Sequence, residues 1–190
     1  MGLSNPFQGQ RIVLRAFEPD DADAVHSLLN HPELAGRRYL PDEFPDTTPV
    51  STGQVRALIE KSGGGGRALN LAVASEADGA LLGYASLDWW WEPLAPSLHV
   101  VIDPQHWRQG YGSECAHLLI QFAFDTLPAR AVAGGCASWN EPAREFARRL
   151  GFMETGAARR AGLRRGQPFD WVRFDMLRRE WEGSNNAAGR

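Results

Sequence analysis

The most informative stretch of this chain is Asp103-Pro104-Gln105-His106-Trp107-Arg108-Gln109-Gly110-Tyr111-Gly112-Ser113. Before it, residues 98–102 form a short, mostly apolar and β-branched run that predicts a buried strand. After it, apolar side chains recur at the spacing of an amphipathic helix, at Tyr111, Cys115, Leu118, Leu119 and Phe122. The pattern predicts a strand, a glycine-containing turn and a helix whose first N–H groups can bind a phosphate. An ordinary connection between strand and helix is the alternative.

Two common phosphate-binding motifs do not fit this turn. A P-loop needs a lysine directly after its last glycine, and the only lysine of the chain is Lys61. A dinucleotide-binding fingerprint needs a third glycine three residues after the second, where this chain has Cys115. Both motifs are therefore excluded by residues that their chemistry requires.

The turn instead resembles the acetyl-coenzyme A loop of the GNAT acetyltransferases. In that family a strand commonly ends in Asp-Pro, and the loop after it has the pattern [Q/R]-x-x-G-x-[G/A]. Residues 103–112 follow this pattern at every defined position except residue 107. Trp107 replaces the usual Gln or Arg, which is similar to the branch that includes ribosomal-protein N-terminal acetyltransferases. A second segment, residues 140–152, resembles the family's asparagine-led helix and its closing Gly-Phe.

The resemblance covers residues 10–181 and implies an α/β fold, a mixed and mostly antiparallel sheet flanked by helices. The predicted element order, β-α-α-β-β-β-α-β-α-β-β, agrees with it. The resemblance implies acetyl-CoA as co-substrate and no metal. Its pantetheine arm would pair as an added strand with the backbone of Val100, Val101 and Ile102. The implied diphosphate site is the backbone of Arg108, Gln109, Gly110, Tyr111, Gly112 and Ser113. Asn140 would contact the pantetheine arm, with helix capping as the alternative.

The implied activity is direct transfer of an acetyl group to a primary amine, either a protein N-terminus or a small molecule. The usual catalytic residues of the family are absent, however. The neighbourhood of the usual glutamate reads Ala95-Pro96-Ser97, Ala147 stands in place of the usual tyrosine, and Ala143 in place of a serine. A non-catalytic acyl-CoA-binding or regulatory module is therefore an alternative function, and a transferase for longer acyl chains is another.

Acetyl transfer requires a neutral amine, whereas a lysine-type amine has a pKa of about 10.4. A general base is therefore expected, often acting through water. His99 is the best candidate, because it lies on the central strand and histidine titrates near neutral pH; a hydrogen-bonded histidine on a half-buried strand is the alternative. Asp88 and Glu92 are further candidate bases, and Ser138 can donate a proton from the end of its strand.

Three consecutive tryptophans, Trp89-Trp90-Trp91, cannot all face one side of a strand. We expect Trp89 and Trp91 to form a wall of the acceptor pocket. The alternative is packing in the core together with contact to a second copy of the chain in a homodimer. The acidic run at residues 42–46 lies where the family admits its substrate and favours a cationic amine, with a solvated surface as the alternative.

The composition limits the partners of this chain. The formal net charge of −3 argues against general nucleic-acid binding. The two cysteines have no metal-ligand spacing. No apolar run reaches the length of about 18 residues that spans a bilayer, and residues 1–10 lack the features of a signal peptide. We therefore expect a cytoplasmic protein without a membrane partner, with one domain at residues 1–181 and a disordered tail at residues 182–190.

Overall fold

The computed structural model describes residues 5–37, 49–62, 66–89 and 92–188. The strands are β1 Ile12–Arg15, β2 Ala68–Ser75, β3 Leu81–Asp88, β4 Ser97–Ile102, β5 Ala131–Ala137, β6 Met153–Arg164 and β7 Gln167–Leu177. The helices are α1 Ala22–Leu29, α2 Thr52–Ser62, α3 Tyr111–Asp125, α4 Glu141–Arg149 and α5 Arg178–Ala188. Through β7, this order is the one that the sequence predicts.

The strands form one seven-stranded sheet in the order β1-β2-β3-β4-β5-β7-β6. Every neighbouring pair is antiparallel except β4 and β5, which are parallel. Parallel neighbours need a crossover connection, and α3 lies between β4 and β5 in the chain. The sheet is therefore mixed and mostly antiparallel, as predicted.

Helices cover both faces of the sheet, and the alternation of side chains along β3 and β4 separates the two layers. Ala85 and Ile102 belong to a large buried cluster that contains the apolar side of α3 and contacts α4. Their neighbours Tyr84 and Val101 pack instead with side chains of α1 and the turn after it. We call these two sides the α3/α4 face and the α1/α2 face.

The end of the chain differs from the predicted disordered tail, because helix α5 continues to Ala188. The indole of Trp181 lies 6.2 Å from the Phe124 ring of α3, and the Arg178 guanidinium donates to the Ala129 carbonyl at 2.8 Å. These contacts hold the first turn of α5 against the core. Neither appears in the local sequence, because Phe124 and Ala129 are far from α5 along the chain.

Candidate active site

The β4 and β5 strands diverge from one point of contact. Their pairing is confined to Ser97 and Ala133, where the Ala133 N–H donates to the Pro96 carbonyl at 2.8 Å. Beyond this point β4 stays paired with β3 as far as Ile102, and β5 with β7 as far as Ala137. The sheet therefore opens into a cleft whose two walls are strand edges.

Alternate residues of β4 direct their backbone groups into this cleft. The Asp103 N–H donates to the Leu82 carbonyl at 2.8 Å. Hydrogen-bonded pairs recur at every second residue of an antiparallel ladder. Val101, two residues before Asp103, therefore forms a hydrogen-bonded pair with Tyr84, which lies opposite it on β3. The N–H and carbonyl of Val100 consequently point away from β3 and towards the cleft.

This alternation corrects the predicted pairing of all three β4 residues with the pantetheine arm. The backbone of Val101 is directed at β3 rather than at the cleft. Ile102 faces the cleft side, but its carbonyl already accepts a hydrogen bond from the Trp107 indole nitrogen at 2.7 Å. Both backbone groups of Val100 and the N–H of Ile102 therefore have the orientation needed for an added strand.

The cleft holds a cavity of about 160 Å³ between β4, β5 and α4. The β5 wall is built from small side chains, including Gly134 and Gly135. The lining from α4 is apolar and comprises Ala143, Phe146, Ala147 and Leu150. Because Ala143 and Ala147 present only methyl groups, the family's usual serine and tyrosine have no equivalent at these two positions.

The loop after β4 contains two sharp changes of direction. The Asp103 carboxylate accepts a backbone N–H of the 3-10 turn Pro104–His106 at 2.9 Å. Arg108 and Gly110 then have left-handed φ angles of 59° and 89°, and α3 begins at Tyr111. A glycine adopts such an angle without strain from a Cβ atom. The loop leads directly into the first turn of α3, as the sequence predicts. The diphosphate site predicted for its N–H groups stays a prediction.

Gly112, in the first turn of α3, marks a close approach to β4 and α4. A Cβ atom on Gly112 would lie 3.5 Å from Ile102 Cγ1 and 3.7 Å from the Phe146 ring. These are ordinary contact distances, so the site has room for a methyl group and not for a large side chain.

Arg11 and Glu114 join the loop to the start of β1, a feature that the sequence did not predict. The Arg11 guanidinium contacts the Glu114 carboxylate at 3.0 Å and donates to the Gln109 carbonyl at 2.8 Å. The same carboxylate accepts the backbone N–H groups of Gln10 and Arg11 at 2.6 and 2.9 Å. Although burial opposes ionisation, these donors and the guanidinium together lower the pKa of Glu114.

Asn140 precedes α4 and lines the cleft, with 9% of its surface exposed. Its side chain makes no hydrogen bond to the helix that it precedes. Its backbone carbonyl, in contrast, accepts the Ala143 N–H at 3.0 Å. Side-chain capping by Asn140 is therefore not supported, and the residue lies at the cleft.

His99 lies on β4, lines the cleft and points towards the α1/α2 face, like Val101 two residues later. Its Nε2 atom is 2.8 Å from Oδ2 of Asp88, at the end of β3. The two side chains are 15% and 5% exposed. Ser86 lies directly opposite His99 on β3, and its buried hydroxyl has no hydrogen-bond partner among the described residues.

Two other residues predicted for catalysis and substrate binding, Ser138 and Trp89, lie away from the cleft lining. The Ser138 hydroxyl accepts the Asp170 N–H at 3.1 Å and joins the end of β5 to β7. Trp89 follows β3 and packs against the large core cluster, as in the alternative interpretation. Neither residue belongs to the cleft lining in the described ranges. Trp91 and the acidic run at residues 42–46 lie outside the described residues.

Two further side chains border the α1/α2 side of the cleft. Trp171 of β7 alternates with the buried Val172 and therefore points to the α1/α2 face. A Cβ atom on Gly135 would overlap the Trp171 indole nitrogen, so the indole lies across that glycine. Arg37 also lines the cleft, with its guanidinium 5.7 Å from the Trp139 ring. The sequence did not single out Trp171 or Arg37.

Neither cysteine has the properties of a nucleophile. Cys115 is buried in α3, and Cys136 lines the cleft with its pKa raised by burial to about 11. A thiol with this pKa is protonated at neutral pH and is a poor nucleophile. The described ranges contain no cluster of three or more His, Cys, Asp or Glu side chains that could hold a metal ion, and none of their helices is long and apolar enough to cross a bilayer.

Relatives of known sequence and structure agree with this architecture. The chain is 42% identical over 65 residues to the "Putative ribosomal N-acetyltransferase YdaF" of Bacillus subtilis, a match that covers 34% of this chain and 36% of that protein. It is 24% identical to the "Uncharacterized N-acetyltransferase p20" of Bacillus licheniformis, over 92% of this chain and 97% of that one.

A solved acetyltransferase of the GNAT family from Bacillus anthracis has the same fold, with a TM-score of 0.77 and 17% identity over 91% of this chain and 98% of that one. The family model described as "Acetyltransferase (GNAT) domain" matches residues 11–153. This match spans most of the chain, including β4, the glycine-containing loop and α4. The chain therefore belongs to the GNAT acetyltransferase family.

Proposed function

We propose that this protein transfers the acetyl group of acetyl-CoA directly to a primary amine, either a protein N-terminus or a small-molecule amine. The observation that carries the proposal is the diverging edge of β4 beside the loop at the start of α3. The backbone groups of Val100 face a narrow cleft, where an extended chain with amide groups can pair as an added strand. The name of the partial relative YdaF favours a ribosomal acceptor.

Acetyl-CoA fits the residues that border the cleft. The N–H groups of the first turn of α3 have no partners within the helix and suit a diphosphate. Small side chains on β5 leave room for the pantetheine arm, and the position of Asn140 in the lining of the same cleft supports a contact with that arm. The thioester supplies an activated carbonyl carbon, so no acetyl-enzyme intermediate is needed, in keeping with the protonated state of Cys136.

His99 is the proposed general base. As the neutral amine attacks the thioester carbonyl, a C–N bond forms and the C–S bond breaks. His99 takes the proton that the nitrogen loses, and this proton then neutralises the departing thiolate, directly or through water. The products are the N-acetylated amine and CoA. Positioning of the two reactants in the cleft supplies a further part of the acceleration.

Calorimetric titration with acetyl-CoA, followed by thiol release against a panel of amines and N-terminal peptides, tests this function. We expect binding and turnover with at least one amine. Binding without thiol release would support the alternative of a regulatory acyl-CoA-binding module, which the methyl groups of Ala143 and Ala147 favour. A protein that binds neither acetyl-CoA nor a longer acyl-CoA would overturn both. The cytoplasmic location and the homodimer stay predictions.

A further inference from the structure

The contact between Asp88 and His99 gives the histidine a defined chemical form. The 2.8 Å distance joins Nε2 to a carboxylate oxygen, and an ionised carboxylate only accepts hydrogen bonds. A neutral imidazole bonded in this way to an ionised carboxylate would carry its proton on Nε2 and its lone pair on Nδ1. Because Asp88 is only 4% exposed, water competes little for its oxygens.

The position of this pair on the sheet connects it to the reaction. Asp88 and His99 lie diagonally across β3 and β4, on the α1/α2 face, and His99 also lines the cleft. The Val100 backbone, one residue later, faces the same cleft. His99 therefore lies at the opening, with its side chain on the face of the sheet opposite to α3 and the predicted diphosphate site.

We propose that Asp88 is a positioning residue that holds His99 with its proton on Nε2, so that Nδ1 accepts the proton from the acceptor amine. This inference rests on the proposed acetyl transfer. In this proposal an aspartate–histidine pair acts as the general base, because the chain has no glutamate at residues 95–97 to take that role. During transfer the carboxylate also stabilises the imidazolium, which exists until the proton passes to the thiolate.

Asp88→Asn tests the pair with little change of shape. The asparagine amide can donate to Nε2, which moves the imidazole proton to Nδ1 and removes the lone pair that the reaction needs. We expect kcat to fall about a hundredfold or more, with KM for acetyl-CoA unchanged. Ser86→Ala is the matched control, because Ser86 is equally buried, lies opposite His99 and has an unpartnered hydroxyl; we expect it to keep the wild-type kcat.

Nitrogen-15 NMR of the His99 ring gives a readout that does not depend on activity. We expect the proton on Nε2 in the wild-type protein and in Ser86→Ala, and on Nδ1 in Asp88→Asn. An active wild-type protein with the proton on Nδ1, or an Asp88→Asn variant with wild-type kcat, would overturn the role of Asp88. If the wild-type protein releases no thiol with any amine, the proposed function fails instead, whichever nitrogen carries the proton.

Discussion

The two faces of the cleft are built from different interactions. On the α3/α4 face, the proposed acetyl-CoA contacts come from backbone groups of β4 and of the loop that contains Gly110 and Gly112. On the α1/α2 face, the proposed chemistry belongs to side chains from separate strands, such as the pair of Asp88 with His99. Backbone contacts tolerate changes of most side chains, whereas a side-chain pair is lost with either partner. Substitutions should therefore separate co-substrate binding from chemistry.

Gly112→Trp should produce the largest effect, loss of acetyl-CoA binding. The indole would have to extend from a Cβ position already 3.5 Å from Ile102 and 3.7 Å from Phe146. Gly112→Ala is the control and should bind like the wild-type protein, because a methyl group fits at these distances. Calorimetric titration measures both, and circular dichroism verifies that they fold. Retained binding by folded Gly112→Trp would count against the loop assignment.

His99→Gln tests the opposite face and should lower kcat about a hundredfold, the usual contribution of a general base. Acetyl-CoA affinity should stay unchanged, since the loop and the β4 backbone are intact. The control is His117→Gln on α3, where the ring contacts the Ser113 carbonyl within its own helix. Steady-state thiol release measures the rates, and an unchanged kcat across pH would remove His99 as the base.

Two adjacent glycines of β5, Gly134 and Gly135, allow a methyl group to be added on either face of the sheet and its effects to be compared. Gly135→Ala should displace the Trp171 indole and raise KM for the acceptor by about tenfold, equivalent to about 1.4 kcal/mol. In Gly134→Ala the new methyl would point to the α3/α4 face, 3.7 Å from the Leu98 carbonyl, and should leave acceptor KM unchanged. Equal acceptor KM values in the two variants would show that Trp171 does not border the acceptor.

Glu114→Gln should have a smaller effect, on stability. The folded protein lowers the pKa of Glu114, so the ionised carboxylate stabilises the fold at neutral pH. This contribution is lost as the pH falls below the usual glutamate range and through the lowered pKa of the folded state. At pH 7 we expect a loss of about 1–2 kcal/mol and a Tm lower by about 2–8 °C.

Thermal unfolding from pH 7 to pH 3 measures this difference, which should shrink on acidification. Glu145→Gln is the control, because its ion pair with Arg149 is exposed on both sides and contributes little. A constant difference between wild type and Glu114→Gln at all pH values would mean that the carboxylate charge is not what stabilises the loop.

Local sequence predicts most of this fold because the signals are local. The strand at 98–102, the glycines of the loop and the apolar stripe of α3 are consecutive in the chain, and the element order through β7 follows from such patterns. The helical end at residues 182–188 was missed, since Trp181 and Arg178 are anchored by Phe124 and Ala129, which lie 57 and 49 positions earlier in the chain.

The candidate site divides in the same way. Its proposed co-substrate side follows from the motif residues, but the choice of Val100 over Val101 needs the register between β3 and β4. The link of Arg11 to Glu114 spans 103 residues and has no local signal. The neighbours of His99 also depend on the register between β3 and β4, because Asp88 and Ser86 lie beside its side chain only when the two strands are paired.

Taken alone, the sequence determines the α/β element order, the glycine-containing loop at the start of α3 and the membership of the family. Each rests on residue types at short spacings, where backbone conformation and amphipathic periodicity act directly. The tertiary structure determines which strand edge faces the cleft and which carboxylate meets His99. A strand places alternate residues on opposite faces and gains its neighbours only from pairing, so the side-chain chemistry of the cleft exists only in the folded sheet.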